Sequence, residues 1–191
     1  MPGRQAKLIT ERISRRALGA LDSRQSNKRD RVIFLLSLRA GLRACEISGL
    51  DWSMVTDATG RVGRQLAIHD RIAKKEGGRR IPLHPQLRAA LAELGRGRRR
   101  TGAIVQSQRS ERMTPNSIVN WFVELYAEIG ATGCSSHSGR RTFITHAARQ
   151  AHKAGASLRD VQLLAGHRSI EVTQGYIDGD SDAQRRLVSL L

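Results

Sequence analysis

The sequence predicts a mostly α domain of the α+β kind, with a small three-stranded antiparallel sheet. Three observations carry this. Apolar residues recur at helical spacing before residue 50 and again from Pro85 onward. Between Asp51 and Ile81 the pattern changes to short β-like runs separated by glycines. Serine, threonine, proline and glycine stand where helices start and stop. The chain has 191 residues, enough for one core of ordinary size or for one large and one small unit.

Residues 1–27 form a polar, basic N-terminal segment, with Leu8, Ile13, Leu18 and Leu21 at roughly helical spacing. They predict one short helix and then a linker at 22–27. Residues 28–191 read as a single unit that ends in a tail over 180–191. Lys28 to Arg39 suits a buried helix, Gly41 breaks it, and Arg43 to Leu50 suits a second, shorter one. Trp52, Met54 and Val55, then Leu66 to Ile68, then Arg80 to Leu83 predict the three strands. The stretch from Lys74 to Arg80 is a hairpin tip, and Pro82 favours an edge position. Leu87, Leu91 and Leu94 make a helical stripe, followed by a loop over 95–102 with Arg96, Arg98, Arg99 and Arg100. Thr114-Pro115, Ser136, Ser157 and Ser169 are candidate helix starts, and Gly166 is a candidate stop.

There are 33 Lys+Arg against 17 Asp+Glu, a net charge of +16. That balance points to a polyanionic partner, nucleic acid first and an anionic membrane surface second. Lysine occurs only at Lys7, Lys28, Lys74, Lys75 and Lys153. Arginine is a fixed bidentate phosphate ligand, whereas lysine can give up a proton, so the Lys74-Lys75 pair stands out. Cys45 and Cys134 form no disulfide framework or metal pattern and fit a reduced cytoplasmic protein. The N-terminus lacks the long apolar stretch of a secretory signal. The longest apolar run, Val32 to Leu36, is too short to span a bilayer.

Tyr176 is one of only two tyrosines and stands nine residues after His167. Attack on a phosphodiester needs a nucleophile, charge stabilisation and an acid for the leaving oxygen. Paired carboxylates at a spacing suited to metal binding do not occur, so arginines are the expected source of charge. His137 and Arg140, three apart, share a helix face. Arg43 opens a short helix, where an anion is favoured, and Glu46 three residues on is within ion-pair reach of it. Lys74 or Lys75 sits on the hairpin tip. His167 follows Gly166 at a helix end.

These segments together resemble the tyrosine recombinases, or phage integrases. Gly41-Leu42-Arg43-Ala44-Cys45-Glu46-Ile47 is similar to the family's first arginine box. The run from Ala73 to Leu83 is similar to its lysine hairpin, with Lys74 at the family lysine and Lys75 as the fallback. His137 to Phe143 resembles the His-x-x-Arg box, and Leu164 to Tyr176 the final box. The resemblance implies that Tyr176 is the nucleophile, leaving a 3′-phosphotyrosyl bond and a free 5′-hydroxyl. It implies that Arg43 and Arg140 hold the non-bridging oxygens, that His167 donates to one of them, that Lys74 protonates the leaving oxygen and that His137 assists at the tyrosine. No cofactor and no metal are expected. The expected partners are double-stranded DNA, further copies of the chain as a dimer or tetramer on DNA, and accessory DNA-bending or DNA-binding proteins.

The chain departs from the family pattern at Arg141, where histidine is frequent, and at Ser138-Gly139. Fewer than thirty residues precede the resemblance, so the separate N-terminal DNA-binding domain of typical members is not expected here; short invertase-like members are similar in this respect. Two other functions fit some of the same features. A type IB topoisomerase-like enzyme shares the catalytic residues but relaxes DNA. A DNA-binding regulator keeps the basic surface and needs neither Tyr176 nor Lys74. The apolar tail residues Leu187, Val188, Leu190 and Leu191 suit docking on a neighbouring copy or packing on their own domain.

Overall fold

The computed structural model describes residues 6–73, 78–107, 110–176, 185, 188 and 189. Among these the chain forms α1 (Glu11–Asp22), α2 (Asn27–Ala40), α3 (Ala44–Gly49), a 3-10 turn (Trp52–Met54), β1 (Gln65–Ile68) and β2 (Arg79–Pro82). It continues with α4 (Pro85–Leu94), α5 (Pro115–Glu128), α6 (Ser138–Gln150), a second 3-10 turn (His152–Ala154), α7 (Leu158–Ala165) and α8 (Ile170–Gln174). No helix among the described residues is long and apolar enough to cross a membrane.

Helix α2 is the axis of the fold. Val32, Ile33, Phe34, Leu35 and Leu36 are all fully buried. A helix that is apolar on every side has to be surrounded, and α1, α3, α4 and α6 pack around it. From α1 come Ile13, Ala17 and Leu21, one stripe at intervals of four residues, and they join the same core as α2. Thr10 starts α1 by accepting from the Ile13 N–H. Helix α5 begins as its sequence suggests, with Thr114 accepting from the Ser117 N–H and Pro115 in the first turn. It packs on α3.

Among the described residues the sheet has two strands, not the expected three. β1 and β2 are antiparallel, with Gln65 opposite Pro82 and Ile68 opposite Arg79. The run from Trp52 to Met54 instead makes the 3-10 turn, closed by the Val55 N–H on the Trp52 carbonyl. The chain then reverses at Asp57, whose Oδ1 accepts from the Thr59 and Arg61 N–H groups. That Asx-type turn leaves room for a single bridge between Thr56 and Val62. Burying Trp52 and Met54 on a tight turn satisfies the same apolar signal that a strand would.

Helix α6 joins two regions, packing on α2 on one side and on α7 on the other. A Cβ at Gly139 would lie 2.3 Å from the Ser37 Oγ, so glycine is what permits α6 to approach α2 this closely. Beyond α6 a second, smaller cluster is formed by Ile144, Ala151, Val161 and Ala165. Tyr176 packs against this cluster. Helix α6 begins at Ser138 with His137 as its cap residue, one position later than a Ser136 cap implies. The N-terminal stretch runs beside α6, with the Ile9 N–H on Thr142 Oγ1 at 2.7 Å.

Candidate active site

Three arginines, Arg43, Arg79 and Arg140, are arranged around one buried carboxylate. Arg43 caps α3, and its backbone N–H donates to Glu46 Oε2 at 2.9 Å while its Nη1 donates to Glu46 Oε1 at 3.3 Å. Glu46 is fully buried. It also accepts from Arg79 Nη1 at 2.8 Å and Nη2 at 3.2 Å. Burial pushes the Glu46 carboxyl up, but the Arg79 bonds and charge and the Arg43 N–H outweigh it, so the carboxyl is held below its ordinary range. The ion pair that Glu46 and Arg43 could make from sequence does form, and Arg43 remains half-buried at the cleft.

The C-terminal end of α7 is met by two guanidinium groups. Arg79 Nε donates to the Leu164 carbonyl at 2.9 Å, and Arg140 Nη2 donates to the Ala165 carbonyl at 2.7 Å. The last carbonyls of a helix lack partners within it and carry its negative end, so two cations there answer both demands. Arg140 also donates through Nη1 to the Gly41 carbonyl at 2.7 Å. Arg140 is buried, and burial pulls its pKa down to about 10; Arg43 and Arg79 add to this while Glu46 and Tyr176 oppose it. It therefore keeps its charge at neutral pH. Gly166 closes α7 at φ 62°. A Cβ at Gly166 would come within 2.9 Å of Arg79 Nη1, so a larger residue would be strained and would displace Arg79.

His167 follows directly. Its Nδ1 lies 2.9 Å from Thr173 Oγ1. Its ring stacks on that of Tyr176, with centroids 5.5 Å apart and planes at 22°. Burial first, then Arg140, Arg43 and Arg79, lower the His167 pKa to about 4, which leaves the imidazole neutral at pH 7. Tyr176 stands just past α8, partly buried, with its N–H on the Thr173 carbonyl. Its own carbonyl accepts from Thr145 Oγ1 at 3.4 Å. His137 is exposed at the start of α6.

Arg43, His137, Arg140, Arg141, His167 and Tyr176 line one cleft of about 470 Å³. Five of the six residues singled out from sequence thus meet in one place, although they span 134 positions of the chain from Arg43 to Tyr176. The sixth, Lys74, and its neighbour Lys75 lie outside the described residues. Arg141, the departure from the family pattern, reaches the Ala6 carbonyl with Nη1 at 2.6 Å. Among the described residues no group of three or more His, Cys, Asp or Glu converges as metal ligands would.

Two residues were missed by sequence reasoning. Arg79 alternates with Arg80 on β2, and it lies on the inward side with Ile81 while Arg80 is exposed. A period-two reading of that strand carries this signal. Thr173 is a buried hydroxyl beside His167, and nothing in its local sequence marks it.

The model of the phage integrase family matches residues 7–182 of this chain. The tyrosine recombinase XerC of Rhodospirillum centenum is 31% identical over 160 residues, 81% of this chain and 43% of that protein. XerC of Actinobacillus succinogenes is 31% identical over 182 residues, covering 91% of this chain and 58% of its own. The chain spans about half the length of the curated relatives it matches. Among solved structures, a Tn1549 transposon integrase in complex with a circular intermediate DNA superposes with a TM-score of 0.75 at 19% identity, covering 100% of this chain and 67% of that one. At that identity the likeness shows the fold alone: mostly helical with a small antiparallel sheet.

Proposed function

We infer the function from one premise: this chain belongs to the phage integrase family, whose model covers residues 7–182. We propose that it cuts and rejoins double-stranded DNA at specific sites through a 3′-phosphotyrosyl intermediate. The Tyr176 oxygen attacks the phosphorus, and the bond from phosphorus to the 5′ oxygen breaks. A 5′-hydroxyl then attacks the phosphotyrosine and frees Tyr176. Religation to the original strand restores it; joining to a partner's strand recombines the two.

The observation that carries this reading is the single cleft lined by Arg43, His137, Arg140, His167 and Tyr176. Arg43 and Arg140 would hold the non-bridging oxygens. A neutral His167 would donate one hydrogen bond to the same phosphate. Lys74 would protonate the leaving 5′ oxygen, and His137 would assist proton transfer at the tyrosine. A phenol ordinarily titrates near 10, so attack at neutral pH depends on the positive field of the guanidinium groups. Those groups supply the charge that metal ions supply in other phosphoryl-transfer sites. The ester energy is kept in the phosphotyrosine, so ATP has no part in the reaction.

The reaction belongs in the cytoplasm, on chromosomal or mobile DNA. A dimer or tetramer on DNA would bring the partner strands together, with Val188, exposed at the C-terminal end, as one docking contact. Accessory DNA-bending proteins would complete the assembly.

The test is a nicked DNA substrate whose cleaved fragment diffuses away, incubated with the protein in excess EDTA. A denaturant-resistant protein–DNA adduct is expected. Salt-sensitive binding with no adduct on any target site would instead mark a DNA-binding regulator.

A further inference from the structure

We propose that the Thr173 hydroxyl donates its proton to Nδ1 of His167 and so holds the imidazole as the Nε2–H tautomer, which faces its one N–H toward the cleft. Thr173 is then a positioning residue that acts through His167. The activity half of this inference rests on the function proposed above; the tautomer itself does not.

The geometry leaves the pair little choice. Thr173 is fully buried. Among the described residues, His167 Nδ1 at 2.9 Å is the hydrogen-bond partner of its hydroxyl. A hydroxyl can donate or accept, and a neutral imidazole has one nitrogen of each kind. If Nδ1–H donated to Thr173, the hydroxyl proton would be buried with no acceptor, a state native structures avoid. If the hydroxyl donates to Nδ1, both groups are satisfied and the ring proton sits on Nε2.

The ring is also fixed in orientation. The His167 N–H donates to the Gln162 carbonyl at 3.1 Å, and Gln162 Nε2 returns a bond to the His167 carbonyl at 3.0 Å. One face of the imidazole rests on Tyr176. With Nδ1 held by Thr173, Nε2 is the nitrogen left for the cleft. The tautomer matters because His167 is neutral at working pH and has a single N–H to give. A phosphate oxygen only accepts, so the opposite tautomer would turn a lone pair toward it. One short helix sets this up: α8 carries Thr173 six residues after His167 and three before Tyr176.

The test uses the full chain labelled with 15N-histidine, with His167→Gln to assign the signal. Without DNA, wild type and Thr173→Ser are expected to show a protonated Nε2 and a bare, hydrogen-bonded Nδ1. Thr173→Val, which keeps the shape and removes the hydroxyl, is expected to show mixed tautomers. A protonated Nδ1 in the wild type overturns the proposal, whatever the variants do. On the nicked substrate, Thr173→Val is expected to slow adduct formation about ten- to a hundred-fold at unchanged DNA affinity, with Thr173→Ser near wild type. A fall in affinity that accounts for the slower rate, or no rescue by serine, overturns the positioning role. Nε2–H in the wild type with no adduct from any form upholds the tautomer and removes the function proposed above.

Discussion

Arg79 and Arg140 carry the same charge as Arg96, Arg98 and Arg99, but the two groups live differently. The Arg79 side chain is 6% exposed, and Arg140 as a residue is 4% exposed. Their guanidinium groups are bonded to Glu46 and to the carbonyls of Gly41, Leu164 and Ala165. Arg96, on the loop after α4, is 77% exposed and pairs with Glu93, itself 40% exposed. Arg98 and Arg99 are exposed beside it. The difference is one of preorganisation. Arg79 and Arg140 are held in place by their protein partners, so under the proposed function Arg140 would lose little freedom on binding a phosphate. The loop arginines must give up side-chain entropy first. The cleft is lined by three guanidinium groups, Arg43, Arg140 and Arg141, against the carboxylate of Glu171, with the Arg79–Glu46 pair buried behind it, which leaves a positive site suited to an anion.

The contrast is tested most severely at Arg140. Arg140→Met removes a proposed phosphate ligand and takes the guanidinium from the Gly41 and Ala165 carbonyls. The single-turnover rate of adduct formation should fall by about a hundred- to a thousand-fold. A change of only a few-fold would put Arg140 on a par with the loop. Arg79→Met probes stability more than chemistry. It takes the strongest partner from a buried carboxylate, which costs about 3–5 kcal/mol in urea unfolding. Adding Glu46→Gln to Arg79→Met should restore part of that loss, because the unpaired charge is then gone. No restoration would mean that Arg79 matters for its packing rather than for its charge.

The pH dependence separates the buried groups from each other. His167 has its pKa lowered from 6.5 to about 4. The unfolded chain takes up that proton first, so the stability that His167 contributes is present above pH 6.5 and is lost as pH falls toward 4. Glu46 is also depressed, below its ordinary 4.5. Its contribution is present above that value and is lost only at lower pH. Unfolding measured across pH 7 to 3 should therefore show two windows, with His167→Gln shrinking the upper one, which His84 and His146 share, and Glu46→Gln shrinking the lower one, which Asp51 shares. The smallest effect is expected on the loop. Arg98→Ala with Arg99→Ala should change stability by less than about 0.5 kcal/mol. It should alter DNA binding only through the salt dependence, with the slope falling by about one unit for each arginine that had neutralised a phosphate.

The sequence made the local features readable and left the long-range ones hidden. Thr114 and Ser157 cap α5 and α7 as their positions suggest, the latter in a reciprocal box with Asp160. Gly166 ends α7 in the left-handed conformation that glycine adopts freely. These depend on residues within one turn. The third strand failed because apolar residues two apart, Trp52 and Met54, bury as well on a 3-10 turn as on a strand. Arg43, His137, Arg140, His167 and Tyr176 were legible as a set of motifs, and the cleft they share needed the fold. Arg79 was missed because its partners lie 33 and 85 positions away, at Glu46 and Leu164. Burial of that kind is decided by how β2 meets α3 and α7, which no short window contains.

The central claim is that Tyr176 becomes joined to a DNA 3′-phosphate. The direct measurement traps the adduct on nicked DNA, trims the DNA with nuclease and maps the modified peptide by mass spectrometry. A 3′-linked nucleotide on Tyr176, with no adduct from Tyr176→Phe, is the expected result. A nucleotide on any other residue, or an adduct that persists in Tyr176→Phe, would contradict the account.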